Sequence, residues 1–297
     1  MDAVAPGKWA TAEVKQGDNI LARWPYIIEQ RRGIVVLTQP PLTQTLGPWL
    51  RPSKAKYANM LAEQKNLMTE LINQLPLFDY FSQNFHYSIT NWLPFYWQGF
   101  SQTTRYTYII DELSDLTKVW DGLLPNIRTD IKKAQGRFGV KVSNDLGIDA
   151  LLDVNELTFI RQGKQLPYGR ELVKRLNEAC AAHDARKIFF GRDEEGNIHA
   201  AVYIVWDDNS AYYLMGGGDP EFRNSGATSL CMWEAIQFAA TVTKCFDFEG
   251  SMMEPVERFV RAFGAKQVPY FSITKTNSRL PLLKQAAGLI KRAVFKK

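Results

Sequence analysis

The stretch RKIFFGRDEEGNIHAAVYIVWDDNSAYYLMGGG, residues 186–218, contains three apolar and aromatic runs separated by two short polar segments. The runs are rich in Ile, Val, Phe and Tyr, which favour β-strands. The segments Glu195-Gly196-Asn197 and Asp208-Asn209-Ser210 consist of residues that are common in tight turns. The sequence therefore predicts three consecutive antiparallel strands here.

The residues after these strands alternate between helical and extended patterns. A Gly-rich loop covers 216–226, and apolar residues at helical spacing predict a helix over 227–243. The elements predicted next are a short strand in CFDFEGS (245–251), a helix in EPVERFVRAFG (254–264) and a strand in QVPYFSITK (267–275). The order β-β-β-loop-α-β-α-β predicts an α/β (α+β) fold in which hairpins lead into a crossover helix.

The first half of the chain shows a less regular version of the same order. Residues 20–37 predict a hairpin that turns at Arg31-Arg32-Gly33, and residues 55–74 predict a helix. The remaining predictions are three strands within 78–110, helices at 112–121, 125–137, 149–161 and 168–184, and a strand at 140–143. We interpret the chain as two related domains, 1–145 and 146–279, followed by a C-terminal helix over 280–297.

Composition excludes several classes of protein. Hydrophobic residues make up 45% of the 297 residues, which is enough for a sizeable core. No apolar run approaches the roughly 18 residues that a membrane-spanning helix needs, and the N-terminus lacks a secretory signal pattern. The three cysteines show no C-x-x-C spacing and the three histidines lie far apart. We therefore expect a cytoplasmic protein without disulfides or a metal site.

The charge of the chain is mildly basic. The formal net charge is +5 and the pI is about 9.0. Such a charge suits an anionic partner, namely a phosphate-bearing cofactor, RNA or a membrane surface. An ordinary basic protein without any such partner is the alternative.

The loop MGGGDPEFRNSGATSL, residues 215–230, leads from a predicted strand into a predicted helix. Glycine lets a backbone approach a ligand closely, and the N–H groups at a helix start attract phosphate. The residues predicted to bind a phosphate-bearing donor are Met215, Gly216, Gly217, Arg223, Asn224, Ser225, Gly226 and Ala227. Replacing Gly226 with Val is expected to abolish donor binding while the fold survives. The alternative is a Gly-rich turn in which Ser225 caps the helix.

The order of elements around this loop resembles that of GNAT-type N-acyltransferases. Their pyrophosphate loop reads Q/R-x-x-G-x-G/A, which Arg223 and Gly226 match and from which Thr228 departs at the last position. The stretch FDFEGS followed by PVERFVRAFGAKQVPYFSITK resembles the Fem-like branch, as does NIRTDIKKA at 126–134. The resemblance extends over residues 100–275.

The resemblance implies tandem GNAT-like domains, each with a mixed, mostly antiparallel sheet flanked by helices. It implies an enzyme that transfers an acyl or aminoacyl group to an amine-bearing acceptor, such as a small molecule or a cell-wall precursor. The implied donors are acyl-CoA, with coenzyme A as the leaving group, and aminoacyl-tRNA. The alternative, which the departure at Thr228 favours, is a non-catalytic ligand- or RNA-binding protein with a degenerate GNAT fold.

Two acids, Asp247 and Glu249, alternate with two phenylalanines in the predicted strand at 245–251, so both acids would face one side. In a GNAT fold this strand diverges from the one before it, and the acyl group is delivered in the gap. Glu249 is predicted to deprotonate the attacking amine, and a second acid close by would raise its pKa. The alternative is a structural role in ion pairs with basic neighbours: Lys244, Arg258 and Arg261.

The remaining candidates are basic and tyrosine residues. Arg128 and Lys132 in the basic helix, with Arg105 in an aromatic strand region, are predicted to bind an anionic acceptor. Tyr213 is predicted to contact the acceptor, and Tyr270 to donate a hydrogen bond to the reacting carbonyl as a catalytic residue. The alternatives are a solvated surface for the basic residues and sheet packing for the tyrosines.

The C-terminal stretch PLLKQAAGLIKRAVFKK, residues 281–297, combines apolar residues at helical spacing with five basic residues. A basic amphipathic helix can lie on an anionic membrane surface. We therefore expect peripheral contact with the inner face of the membrane. The alternative is a terminal helix that docks on the first domain.

Overall fold

The computed structural model describes residues 1–31, 33–250 and 252–277. The strands are β1 (Trp9–Gln16), β2 (Asn19–Arg31), β3 (Ile34–Thr38), β4 (Trp49–Leu50), β5 (Tyr80–Asn84), β6 (Ser101–Ile110), β7 (Lys141–Ser143), β8 (Arg186–Arg192), β9 (Ile198–Trp206), β10 (Ser210–Gly218), β11 (Cys245–Asp247) and β12 (Lys266–Thr276). The helices are α1 (Tyr57–Asn73), α2 (Leu93–Trp97), α3 (Leu116–Gly122), α4 (Pro125–Gly136), α5 (Ile148–Ile160), α6 (Arg170–Ala181), α7 (Ala227–Ala239) and α8 (Glu254–Arg261). These elements confirm the mixed α/β class.

The described residues form two compact units. The first contains Met1–Thr104 and residues 270–277, and the second contains Arg105–Pro269. The chain passes from the first unit to the second within β6 and returns within β12. The units divide the chain elsewhere than the predicted domain boundary at residue 145, which stays a prediction.

The first unit is built on hairpins around an aromatic core. β2 pairs antiparallel with β1, β3 and β4, while β5 pairs parallel with β3 and antiparallel with β12. The Trp24 ring contacts Phe81 and Phe95 edge to face, at centroid distances of 5.3 and 5.4 Å. Its Nε1 donates a hydrogen bond of 2.7 Å to Oε1 of Gln83, which satisfies the one polar group of a buried indole.

The second unit has strands in the order β6-β11-β10-β9-β8-β7. All neighbours are antiparallel except β10 and β11, which run parallel over three residue pairs from Ser210↔Cys245 to Tyr212↔Asp247. Residues of α4, α7 and α8 form one apolar core with the sheet. α5 and α6 pack on β8, β9 and β10 through other buried residues, among them Leu151 and Val173. The sheet thus carries helices on both faces.

The structure confirms most of the predicted elements and corrects some. The predicted hairpin, the helix α1, the three-strand meander and the helix after it are all present. Within 78–110, however, two strands flank the short helix α2 where three strands were predicted. Pro94 lies in the first turn of α2, where its missing N–H leaves no hydrogen bond unmade. β1 was not predicted, and the predicted C-terminal helix over 280–297 lies outside the described residues.

Candidate active site

β11 ends at Asp247, between two strands of the second unit. Asp247 lies opposite Tyr212 of β10 and opposite Ile109 of β6. The residue is only 5% exposed. Because a buried carboxylate loses its hydration, its neighbours decide whether it stays charged.

Two donors hold one oxygen of Asp247. Oγ1 of Thr107 on β6 donates a hydrogen bond of 2.5 Å to Asp247 Oδ1, and the backbone N–H of Glu249 donates one of 2.7 Å to the same atom. Burial raises the pKa of Asp247 to about 6, because the lost hydration outweighs these two hydrogen bonds, which lower it. The Asp247 carboxyl therefore titrates close to neutral pH.

Glu249 does not continue the strand. Its φ angle is +50°, in the left-handed region that non-glycine residues rarely adopt, and Gly250 follows with a φ of +42°. A Cβ atom on Gly250 would lie 2.3 Å from Cα of Thr107, so the chain turns directly against β6. The prediction that Asp247 and Glu249 alternate along one extended strand is therefore wrong beyond Asp247, because this contact bends the backbone.

The Glu249 carboxyl is strongly perturbed. Within the described part of the chain, no hydrogen bond or ion pair joins it to another residue. Burial raises the pKa of the Glu249 carboxyl well above its ordinary value, and the negative charge of Asp247 raises it further. Two carboxyls with raised pKa values next to each other form an arrangement suited to proton transfer.

Arg105 lies on the same strand face as Asp247, which with Glu249 forms what we call the acid pair. Side chains two residues apart on a strand share a face, and Thr107, two residues after Arg105, bonds to Asp247. Arg105 is half-buried. The structure thus brings this predicted acceptor residue to the side of the sheet that carries Asp247.

The basic residues considered as ion-pair partners of Asp247 and Glu249 form no ion pair with them in the described part of the chain. Arg261 Nε forms an ion pair of 2.8 Å with Glu257 Oε1. In residues 105–250 and 252–269, no ion pair connects Asp247 or Glu249 with a basic side chain. The ion-pair explanation for the acids therefore finds no support in this unit.

The glycines that end β10 lie against α5. A Cβ atom on Gly217 would lie 2.7 Å from Cα of Asn155 and 2.7 Å from the carbonyl oxygen of Val154. Asn155 Nδ2 donates a hydrogen bond of 2.6 Å to the carbonyl of Gly216, and the N–H of Gly218 donates one of 3.1 Å to Thr158 Oγ1. Close packing against α5 therefore accounts for Gly217, while the predicted donor contact of Gly216 and Gly217 stays a prediction.

Tyr213 and Met215 flank a register shift in β10. Tyr213 is half-buried, and a Cβ atom on Gly216 would lie 2.5 Å from its hydroxyl oxygen. Burial raises the pKa of Tyr213 to about 12, so its hydroxyl keeps its proton at physiological pH. Met215 is buried at 6% exposure. Tyr213 thus provides a hydroxyl group beside the glycines.

The loop from Asp219 to Gly226 is fixed by a buried histidine. The N–H of Asp219 donates to the carbonyl of His199, and the Phe222 ring stacks on the His199 ring at 4.0 Å and 3°. Ser225 is buried, and its Oγ accepts a hydrogen bond of 3.2 Å from the N–H of Ala227. Gly226 occupies the N-cap position of α7 and Ser225 precedes it, so the alternative in which Ser225 caps the helix is wrong.

Two other residues of this loop point outward. Arg223 and Asn224 are exposed, and no side-chain hydrogen bond joins either to the rest of the described chain. Both side chains are therefore available to a ligand at the start of α7.

Gly226 lies against α4. Its φ angle is +84°, and a Cβ atom on it would lie 2.3 Å from the carbonyl oxygen of Asp130. Arg128 is half-buried and Lys132 is exposed, on either side of Asp130 in α4. The structure therefore brings the predicted donor loop and the predicted basic helix together through backbone packing.

Tyr270 belongs to the first unit. It is 3% exposed, and Gln44 Nε2 donates a hydrogen bond of 3.4 Å to its hydroxyl oxygen. Its predicted catalytic role stays a prediction.

The second half of the chain matches a known domain family. Residues 125–254 match the acetyltransferase (GNAT) domain, from the start of α4 to the start of α8. We refer to this matched segment below as the GNAT domain. The match includes the 216–226 loop and the acid pair, while Arg105 and Tyr270 lie outside it. No curated protein sequence matches the chain significantly.

Solved structures share the fold at low identity. FemX superposes with a TM-score of 0.63 at 10% identity, covering 89% of this chain and 88% of that one. L-PGS from Bacillus licheniformis superposes with a TM-score of 0.58 at 12% identity, covering 98% of this chain and 90% of that one. A tandem GNAT protein from the clavulanic acid biosynthesis pathway superposes with a TM-score of 0.52 at 10% identity, covering 93% of this chain and 86% of that one. These likenesses confirm the predicted fold, and the match to the GNAT domain supports an N-acyltransferase enzyme.

Two further features bear on the environment of the GNAT domain. Among the described residues, no three His, Cys, Asp or Glu side chains cluster as a metal site would require. None of the helices in residues 1–31, 33–250 and 252–277 is long and apolar enough to cross a membrane.

Sequence reasoning missed Thr107, Asn155, Thr158 and His199 as residues that shape the GNAT domain. Thr107 meets Asp247 across 140 residues of sequence, and Asn155 meets Gly216 across 61. Such contacts carry no local sequence signal, because the two partners lie far apart in the chain. A buried histidine within the apolar run of β9 was the one signal available for His199.

Proposed function

We propose that this protein transfers an acyl or aminoacyl group to an amine and that the acid pair handles the proton of that amine. The observation that carries the proposal is the pair itself, inside the GNAT domain. Asp247 is buried with a pKa of about 6, and Glu249 bends away at a φ of +50° with a pKa raised well above its ordinary value. A backbone in this sparsely populated region is often found at functional sites.

The chemistry assigned to the acid pair is direct acyl transfer. A neutral amine attacks the carbonyl carbon of the donor, a C–N bond forms, and the bond from that carbon to the sulfur or oxygen leaving group breaks. Glu249 in its ionised form accepts the amine proton and passes it to the departing sulfur or oxygen, so the leaving group is released as a thiol or alcohol and Glu249 is ionised again. The Asp247 charge makes Glu249 a stronger base by raising its pKa.

The register shift in β10 supplies the candidate site for polarising the carbonyl. Between Tyr213 and Met215 the pairing with β9 is interrupted, and an irregularity of this kind leaves a backbone group without its ladder partner. A backbone N–H directed at the developing oxyanion stabilises the transition state of acyl transfer. Leu214 is therefore the residue whose N–H we assign to this role.

The basic residues support an anionic acceptor or donor. Arg105 shares the sheet face of Asp247, while Arg128 and Lys132 lie on the helix that packs against the 216–226 loop. A cell-wall precursor or another amine with anionic groups fits this charge, and the two donor classes to be distinguished are a thioester and an aminoacyl-tRNA. The likeness to FemX and L-PGS supports aminoacyl transfer as one form of the reaction.

The decisive experiment replaces Glu249 with Gln. The substitution keeps the shape of the side chain and removes its ability to accept the amine proton. Transfer from acetyl-CoA or charged tRNA to a lysine-bearing peptide or cell-wall precursor, followed by mass spectrometry, should slow by about 10²-fold or more. Glu254→Gln, at an exposed glutamate in the same domain, is the matched control and should keep its activity. Near-normal turnover with a lower melting temperature in Glu249→Gln would contradict the proposal.

A further inference from the structure

One edge of β10 is left without a partner strand after Tyr212. β11 pairs with β10 only as far as Tyr212 and Asp247, whereas β9 continues along the other edge to Gly218. Backbone groups of alternate residues in this part of β10 therefore point toward the open edge. An open edge of this kind can bind an extended, amide-bearing chain by main-chain hydrogen bonds.

Two side chains of α5 already form hydrogen bonds with those backbone groups. Asn155 Nδ2 donates to the Gly216 carbonyl at 2.6 Å, and Thr158 Oγ1 accepts from the Gly218 N–H at 3.1 Å and lies 3.4 Å from the Gly218 carbonyl. Asn155 is 3% exposed, and its Oδ1 accepts a hydrogen bond of 2.8 Å from the Tyr168 hydroxyl. The side chain is thus fixed at both ends.

The backbone of α5 lies on the sheet face beside this edge, so Asn155 and Thr158 reach the edge groups from a fixed helix. A Cβ atom on Gly217 would lie 2.7 Å from Cα of Asn155, closer than nonbonded atoms approach. The backbone of α5 therefore contacts the strand directly. A ligand arm can enter only if Asn155 and Thr158 release the strand.

This edge runs between the predicted donor-binding loop and the acid pair. The loop at the start of α7 follows Gly218 at once, and Asp247 lies opposite Tyr212. The strand between them is about 20 Å long at the usual rise per residue. A donor anchored on the loop, with its acyl group at the acid pair, would have to run along this edge. The pantetheine arm of coenzyme A, which carries amide groups, would pair with Gly216 and Gly218.

We propose that Asn155 and Thr158 are specificity-determining residues that close this edge to donors with an extended amide arm, coenzyme A thioesters above all. The donor of this protein then presents its acyl group without such an arm along Gly216–Gly218. This inference rests on the proposed acyl transfer at Asp247 and Glu249, because the acid pair defines where the acyl group must arrive.

The test compares two ligands that differ only in the arm. Coenzyme A and 3′-phosphoadenosine 5′-diphosphate, which is coenzyme A without pantetheine, are titrated calorimetrically into the full chain. In the wild type we expect equal affinities, or no binding of either, because the arm makes no contact with β10. In Asn155→Ala/Thr158→Ala we expect coenzyme A to bind at least about tenfold more tightly than the shorter ligand.

The control is Asn177→Ala, which removes a buried asparagine of α6 that bonds to Tyr203 and not to β10. It should show no preference for coenzyme A. If the double variant fails to fold, Thr158→Ala alone replaces it, because Thr158 is only half-buried. This substitution frees the N–H and carbonyl of Gly218, and coenzyme A should again bind more tightly than the shorter ligand.

A wild type that binds coenzyme A about tenfold more tightly than the shorter ligand would overturn the inference, as would a folded variant without any gain. Either result leaves the acid pair untouched, since that is judged by the Glu249→Gln transfer assay. Normal turnover in Glu249→Gln would instead remove the proposed function, whatever coenzyme A does.

Discussion

Asp247 and Glu249 differ in how the protein holds them. Asp247 Oδ1 accepts two hydrogen bonds, from Thr107 and from the backbone of Glu249, whereas the Glu249 carboxyl receives none from the described residues. Burial raises both pKa values, but only Asp247 has donors that oppose the rise. We infer that, as the pH rises, Asp247 ionises before Glu249.

The pH dependence of transfer should report this coupling. A general base works only when ionised, so kcat/KM should rise with pH through the elevated pKa of Glu249. Asp247→Asn removes the nearby negative charge, lowers that pKa and should move the acidic limb of the profile to lower pH. Asp208→Asn, in the exposed turn before β10, is the control and should leave the limb in place. An unchanged limb in Asp247→Asn would show that the two carboxyls do not interact.

Asp247 should also lower stability at neutral pH. Its pKa rises from 3.8 to about 6 on folding, so the folded state binds more protons than the unfolded chain between these values. The contribution of Asp247 to the free energy of unfolding is most favourable below about pH 4. It falls by roughly 3 kcal/mol, as an upper value, as the pH rises past about 6. Urea unfolding at pH 4 and pH 7.5 should therefore show Asp247→Asn gaining stability over the wild type only at the higher pH. Equal differences at both pH values would contradict this.

At the scale of the elements, the backbone of α4 lies so close to the start of α7 that only glycine fits at position 226. Gly226 has a φ of +84°, and its Cα faces the Asp130 carbonyl so closely that a Cβ atom would lie at 2.3 Å. Gly226→Ala should therefore destabilise the protein by on the order of 2 kcal/mol or more in urea unfolding. Gly136→Ala, at the helical end of α4 with no atom near the new Cβ, is the control and should be neutral or slightly stabilising.

This contact also changes the expectation for Gly226→Val. The sequence suggested that the substitution blocks a donor while the fold survives. The Asp130 backbone cannot move aside as a flexible side chain would, so the larger residue disturbs the packing of α4 on α7. Donor binding is better tested at Arg223, which is exposed and holds nothing in place among the described residues.

At the level of the whole molecule, the first unit depends on a strand from the end of the chain. β12 pairs with β5 from Ser272↔Asn84 to Thr276↔Tyr80, and it adds the fully buried Ile273 to the aromatic core. A chain ending at Pro269 should therefore lose protection of residues 1–104 from limited proteolysis. A chain ending at Asn277 keeps β12 and should resist proteolysis as the full chain does. Equal resistance of both truncated chains would show that the unit does not need β12.

Much of the fold follows from local patterns. The meander over 186–218 and the helices α1, α4, α5, α6 and α7 have the apolar spacing and turn residues that the pattern rules require. Where prediction failed, a local signal was ambiguous. The aromatic residues of 78–110 favour strands, yet Pro94 starts a helix between β5 and β6.

The sequence by itself determined the order of most elements, the fold class and the presence of two acids in an aromatic stretch. It did so because periodicity, turn residues and short motifs are properties of neighbouring positions. Only the tertiary structure decided that β11 stops at Asp247, that Gly250 turns the chain against β6 and that α5 closes the edge of β10. Those features arise from contacts between residues far apart in sequence, where close packing and burial set both the backbone path and the proton affinities of the carboxyls.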